Sequence, residues 1–189
     1  MEVALALANS QLGQVSPLPA VGALVLSEGM VVGQAATEAS PGLHAERGAL
    51  EVAGELARDA DLYVTLEPCK HYGLTPPCTQ AIIEAGISRV FMSVRDPNPV
   101  SQGGREELLE AGIEVVTGGG VEEATDMYQG FFKAVEQKRP YVTVKWAMSR
   151  DGFLARLDGE RLQISGEESL HRVHEMRRQT DAILVGSGT

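Results

Sequence analysis

Apolar positions along the chain change period several times, and each change marks an element. Residues 3–8 (Val-Ala-Leu-Ala-Leu-Ala) make the apolar part of an amphipathic first helix over about 2–12, closed by Gly13. After the stiff loop Ser16-Pro17-Leu18-Pro19 comes an apolar run at 21–26. Ser27-Glu28-Gly29 then turns the chain into Met30-Val31-Val32-Gly33, so the two runs predict a hairpin. Ser40-Pro41-Gly42 breaks the chain, and Ala45, Ala49, Val52, Ala53 and Leu56 recur at helical spacing to about Arg58. A strand at 62–66 lies between Asp61 and Pro68. Ala81, Ile82 and Ala85 predict a helix after Cys78, closed by Gly86. Residues 89–94 are nearly all apolar, as in a strand buried on both faces. A helix at 105–111, a short strand at 114–117 and a helical region to about Glu136 follow.

This alternation of helices and strands implies an α/β chain whose first domain, 1–138, is a three-layer α/β/α sandwich. Gln137-Lys138-Arg139-Pro140 is the expected boundary. Beyond it, 139–189 reads as a strand at 141–147, a Ser149-Arg150-Asp151-Gly152 turn, a helix at 167–179 and a strand at 182–185. One strand-helix-strand unit cannot cover both faces of a sheet, so 139–189 is expected to be an incomplete domain and the chain a fragment of a longer one.

Composition narrows the partners. The chain has 189 residues, 43% hydrophobic, with a formal net charge of -10. Its first Lys or Arg is Arg47. That charge disfavours nucleic acid, whose binding rests on phosphate neutralisation. The apolar start lacks the basic flank of a secretory signal, and no run approaches the ~20 apolar residues of a membrane span. Both cysteines have a use other than a disulfide, so a cytoplasmic location is expected.

That use is set by two short stretches. The first is Leu43-His44-Ala45-Glu46; the second is Thr65-Leu66-Glu67-Pro68-Cys69, followed by Pro76-Pro77-Cys78. One imidazole and two thiols suit zinc and leave its fourth tetrahedral position open for water. A structural zinc would instead be closed by a fourth Cys or His, for which the nearby candidate is His71. Both metal-bearing stretches are expected at helix N-termini, where the helix dipole favours thiolate. Glu46, two residues after the candidate ligand His44, reaches the water without binding the metal and is the candidate proton shuttle. Each residue also has a plainer reading. The cysteines can pack in a core, Glu46 can offset a helix dipole, Asp96 and Asn98 can form an Asx turn between prolines, and Lys145 can guard an edge strand.

The His-x-Glu and Pro-Cys pattern resembles that of zinc-dependent deaminases. The longer stretch 65–78, with Lys70-His71-Tyr72-Gly73-Leu74-Thr75 between the cysteines, is similar to the bifunctional deaminase–reductases of riboflavin biosynthesis. So are Arg95-Asp96-Pro97-Asn98-Pro99 and, later, Arg139-Pro140-Tyr141-Val142, Lys145, Asp151-Gly152 and 181–186. The resemblance implies a cytidine-deaminase-like domain followed by the start of a dihydrofolate-reductase-like α/β domain. It also implies a phosphoribosylated diaminopyrimidinone as small-molecule substrate, Zn2+ and NADPH as cofactors, and a homo-oligomer. By position, His44, Cys69 and Cys78 match the zinc ligands and Glu46 the proton shuttle; Asp96, Asn98 and Arg177 fall on the substrate side, and Lys145, Ala147 and Thr189 on NADP. The chain departs from the family pattern at Leu18, Thr37 and Leu74 on the substrate side, and at Arg161 and Gln163 later on. Those departures motivate an alternative, a deaminase of another small aminopyrimidine or purine-type base. A non-catalytic zinc-stabilised module is a further alternative.

The small-residue loop Gly186-Ser187-Gly188-Thr189 could let backbone amides approach a phosphate. With the rest of a cofactor groove missing, the 189-residue chain is expected to bind NADPH weakly and to lack reductase activity. A fluorescence titration checks this; micromolar binding with substrate-dependent NADPH oxidation contradicts it.

Overall fold

The computed structural model describes residues 1–73, 75–156, 158–160 and 162–187. It contains two compact units, Met1–Tyr141 and Val142–Thr189. In the first, α1 (Glu2–Ser10) precedes the hairpin β1 (Gly22–Ser27) and β2 (Met30–Ala36). Then come α2 (Ala45–Ala53), a 3-10 turn (Gly54–Ala57), β3 (Asp61–Leu66), α3 (Cys78–Ala85) and β4 (Arg89–Val94). The unit continues with α4 (Gly104–Glu110), β5 (Glu114–Thr117) and α5 (Val121–Gln137). The strands form one five-stranded mixed sheet in the order β2-β1-β3-β4-β5. β1 is antiparallel to both β2 and β3, whereas β3, β4 and β5 run parallel.

Local chemistry explains the turns. Glu28 and Gly29 both have positive φ, 50° and 78°, as a tight hairpin with right-handed strand twist requires. Gly54, at φ 53° and ψ -135°, ends α2 where the spacing predicts a continuous helix to Arg58. The chain tightens there into a 3-10 turn.

Two glycines set the layers. A Cβ on Gly22 would collide with the Ala4 carbonyl oxygen in α1, and one on Gly33 with the Ala49 carbonyl oxygen in α2. Gly33 pairs with Val25, whose side points away from that of Gly22 along β1, so the two helices cover opposite faces of the sheet. Close approach leaves room only for small residues. The inner face of α2 is therefore Ala45, Ala49, Leu50 and Ala53, while Val52 and Leu56, expected inside, are exposed. Between the layers Leu62, Val64, Val90 and Met92 are fully buried. At the far end Tyr128 of α5 donates to the Ala20 carbonyl (3.0 Å) and meets the Thr65 hydroxyl (2.6 Å). Thr65 in turn accepts the Gly22 amide. Burial holds the Tyr128 hydroxyl protonated well above its ordinary range.

The second unit contains α6 (Glu167–Arg178), with acidic residues in its first turn and basic ones in its last, as the helix dipole favours. The turn after Ser149 forms, with the Ser149 amide donating to the Phe153 carbonyl. Among the described residues, neither strand expected at 141–147 or 182–185 is present. Val142, Val144, Trp146, Ile183, Leu184 and Val185 are exposed. A strand needs a neighbour to take its backbone hydrogen bonds, and β-rich sequence alone does not supply one.

Gly33→Ala is expected to lower stability by about 1–3 kcal/mol or more, because a rigid helix backbone must move. Urea unfolding measures it, and an unchanged midpoint contradicts the close packing of α2 on β2.

Candidate metal centre and its cavity

His44 is the N-cap residue of α2 and Cys78 the first residue of α3. Cys69 lies in the loop that leaves β3, not at a helix start as the sequence suggests. The ligand atoms of the three residues all lie within 4.8 Å of one another. His44 Nδ1 is 3.3 Å from Cys78 Sγ and 3.6 Å from Cys69 Sγ. The Cys78 amide donates to Cys69 Sγ, and the Thr79 amide to the Cys69 carbonyl (3.2 Å), so the start of α3 clamps the loop. Both sulfurs are buried. One nitrogen and two sulfurs at this separation are a donor set suited to a borderline-soft divalent cation, and among the described residues this is the one such cluster.

Electrostatics couple the group. The Cys69 thiol is held well below its usual range, chiefly because Cys78 donates a hydrogen bond to its sulfur and then because His44 does. The same bond, together with burial, pushes Cys78 up. This reverses the expectation for Cys78: a neighbouring thiolate and loss of water outweigh the helix dipole at short range. His44 is raised, mainly by its bond to Cys69. Glu46, 4% exposed on the first turn of α2, is pushed up to about 7 by burial and next by the negative charge on Cys69.

These residues open on a cavity of about 270 Å³. His44, Glu46 and Cys69 line it together with Asp96 and Asn98, so the cavity unites the candidate ligands with the candidate substrate contacts. Asp96 and Asn98 also form the turn that was the plainer reading. Asp96 Oδ1 accepts the Asn98 amide (2.9 Å), Asp96 Oδ2 accepts the Ser101 hydroxyl (2.5 Å), and Asn98 Oδ1 accepts the Val100 amide. Burial raises the Asp96 carboxyl. Leu18 and Thr37 are on the wall too. The Thr37 hydroxyl is committed to the backbone of Val21, accepting its amide at 3.0 Å. His71 lines the same cavity, and its buried Nδ1 has no protein partner.

The candidates of the second unit do not converge. Lys145 is exposed in an irregular segment, Ala147 is half-buried there, and Arg177 is exposed on α6. Thr189, Leu74 and Arg161 lie outside the described residues. The sequence reading also missed Glu67. Its buried carboxylate accepts the amides of Asp96, Gly103 and Arg105 and the Arg95 guanidinium. Its place in the Glu-Pro-Cys run was visible, but its backbone partners carry no side-chain signal.

The fold and donor set are those of the cytidine-deaminase class. The family model described as the cytidine and deoxycytidylate deaminase zinc-binding region matches residues 1–94, the stretch holding all three donors. The RibD C-terminal domain model matches residues 140–189. The riboflavin biosynthesis protein RibD of Aquifex aeolicus is 49% identical over 190 residues, covering 100% of this chain and 53% of that protein. RibD of Actinobacillus pleuropneumoniae is 44% identical, covering 100% of this chain and 50% of its own length. The crystal structure of a diaminohydroxyphosphoribosylaminopyrimidine deaminase/5-amino-6-(5-phosphoribosylamino)uracil reductase from Thermotoga maritima superposes with a TM-score of 0.95 at 44% identity, covering 100% of this chain and 54% of that one. Along its whole length the chain is similar to RibD proteins, and both parts of it match domains of that kind. It spans about half the length of the curated relatives it matches.

Purified protein is expected to hold about one zinc per chain, and Cys69→Ala to lose it, since two remaining donors bind far more weakly. Metal analysis after dialysis against a mild chelator checks this. Full zinc in the variant contradicts the site.

Proposed function

We propose that residues 1–138 form a zinc-dependent hydrolytic deaminase acting on a phosphoribosylated diaminopyrimidinone in riboflavin biosynthesis, and that 139–189 is the opening part of a reductase domain. The observation that carries the reading is a buried carboxyl, Glu46, next to a one-imidazole, two-thiol donor set on the wall of one cavity. Similarity to the Thermotoga maritima deaminase/reductase supports the substrate class. The thiol ligands fit a reducing cytoplasm.

His44 Nδ1, Cys69 Sγ and Cys78 Sγ would hold the metal, the sulfurs as thiolates. The chemistry that zinc would supply there is a water acidic enough to give hydroxide near neutral pH. Glu46 handles the proton. Its buried carboxyl stands on the first turn of α2 beside the donors, so its oxygen can take a proton and return it to the departing amine. One water is consumed and ammonia leaves, with a ring carbonyl in place of the C–NH2 group. Asp96, Asn98 and Ser101 line the cavity as a hydrogen-bonded rim for the substrate. Leu18 on that wall, and a Thr37 hydroxyl already committed to Val21, favour a second reading in which a related aminopyrimidine or purine-type base is the substrate.

For NADPH the described residues do not assemble a site. Lys145 and Arg177 are exposed, with no hydrogen bond or ion pair joining their side chains.

Ammonia release from a panel of aminopyrimidines and purines, led by the phosphoribosylated diaminopyrimidinone, separates the two substrates. Glu46→Gln is expected to keep its zinc and lose about 10²–10⁴-fold in turnover. Unaltered turnover contradicts Glu46 as the proton carrier.

A further inference from the structure

Glu67 directly follows β3, two residues before Cys69, and its side chain is fully buried. Oε1 accepts the amides of Gly103 (3.1 Å) and Arg105 (3.0 Å) at the start of α4. Oε2 accepts the Asp96 amide (3.1 Å) and Arg95 Nε (2.8 Å). Four donors from two separate segments therefore converge on one carboxylate. The approach is built into the backbone: Gly103 takes φ 93°, and a Cβ on Gly104 would collide with the Pro68 carbonyl oxygen. The Glu67 amide donates to Val94, continuing the β3–β4 pairing to the rim, and the Lys70 amide donates to Ser101. The segment held this way, 95–101, carries Asp96, Asn98 and Ser101, which line the same cavity as Glu46.

We propose that Glu67 is a positioning residue for the deamination: it locks the Asp96–Asn98–Ser101 wall against the loop that bears Cys69, and so fixes where the substrate sits relative to Glu46. The proposal rests on the deaminase reading for its substrate and on geometry for its mechanism. An ionised carboxylate is acceptor-only and offers lone pairs to all four donors. A glutamine of the same shape cannot replace it. Whichever way its amide turns, its NH2 faces two donors, either the Asp96 amide with Arg95 or the Gly103 and Arg105 amides. A buried donor facing a donor is expelled rather than tolerated. Glu67 also lines the cavity, but its carboxylate bonds Arg95, Asp96, Gly103 and Arg105 and none of the three metal donors, so its loss should displace the substrate wall and spare the metal.

The test is Glu67→Gln in the zinc-loaded protein, with three readouts. With the phosphoribosylated diaminopyrimidinone as substrate, KM is expected to rise about tenfold or more while kcat falls less, the pattern of lost binding geometry. Zinc content stays at the wild-type value. Amide hydrogen exchange speeds up at Asp96, Gly103 and Arg105 and not in β1 or α1. Arg95→Gln, at a half-exposed guanidinium, removes one donor and should give a milder rise in KM; it serves if Glu67→Gln does not fold. Asp61→Asn, which breaks the ion pair with Arg89 at the other end of β3, should leave KM unchanged. Unchanged KM in Glu67→Gln, or local exchange rates equal to wild type, overturns the proposal. If the wild-type chain releases no ammonia from any substrate, the deaminase reading fails instead, and the exchange rates alone decide whether Glu67 holds the wall.

Discussion

The structure depends on compensating a knot of polar groups taken out of water. The Cys69 and Cys78 sulfurs, the Glu46 carboxyl and the His44 ring meet at the end of the sheet, and each is at least partly buried. Isolated burial of such groups costs several kcal/mol apiece unless charge and hydrogen bonds are matched. Part of the match is internal, a thiol donating to its neighbouring sulfur and an imidazole to the same one. A divalent cation held by two thiolates and an imidazole would complete it, a role for which thiols suit better than hydroxyls. In the metal-free site burial and the Cys69 charge also raise Glu46, so the carboxyl proposed to move the proton is electrostatically coupled to the donors.

The surrounding fold delivers three segments to that point. β3 and β4 run parallel, so their ends open on the same side, where the loops carrying Cys69 and Asp96 leave the sheet. Close helix–sheet contact at Gly22 and Gly33 fixes the depth of α1 and α2, and with it the height of His44 at the start of α2. Tyr128 ties the chain just after Pro19 to the middle of the sheet and holds the remaining side of the cavity. Glu67 ties the last side. Two buried hydrogen-bonding side chains beside the C-terminal end of β3, the Tyr128 phenol and the Glu67 carboxylate, thus anchor segments that line the cavity.

Much of this was legible in the sequence because it is written in side chains. His44, Cys69 and Cys78 are rare residue types here and Glu46 stands at a distinctive spacing from His44, and the sheet's helices and strands follow their apolar periods closely. What was not legible is written in backbone. The inner face of α2 is alanine because Gly33 brings a helix close, so larger apolar residues such as Val52 and Leu56 fall outside although they share the helical period. Glu67 reads as one more surface carboxylate until the amides of Asp96, Gly103 and Arg105 are seen around it. The β-rich runs at 141–147 and 182–185 satisfy a strand pattern but have no strand beside them among the described residues. Pattern predicts which face an element would bury; it does not supply the partner.

Hydrolytic deamination needs a zinc site with three protein donors and one position open to solvent, and the coordination shell distinguishes that from a closed site. X-ray absorption at the zinc edge of the purified protein is expected to show two sulfurs near ~2.3 Å and two lighter atoms near ~2.0–2.1 Å, one from His44 and one exchangeable with solvent. Adding a small anion or a substrate analogue should alter the lighter shell and leave the sulfurs in place. A shell closed by four protein ligands and unresponsive to any added ligand would contradict it, and would make this site a structural staple.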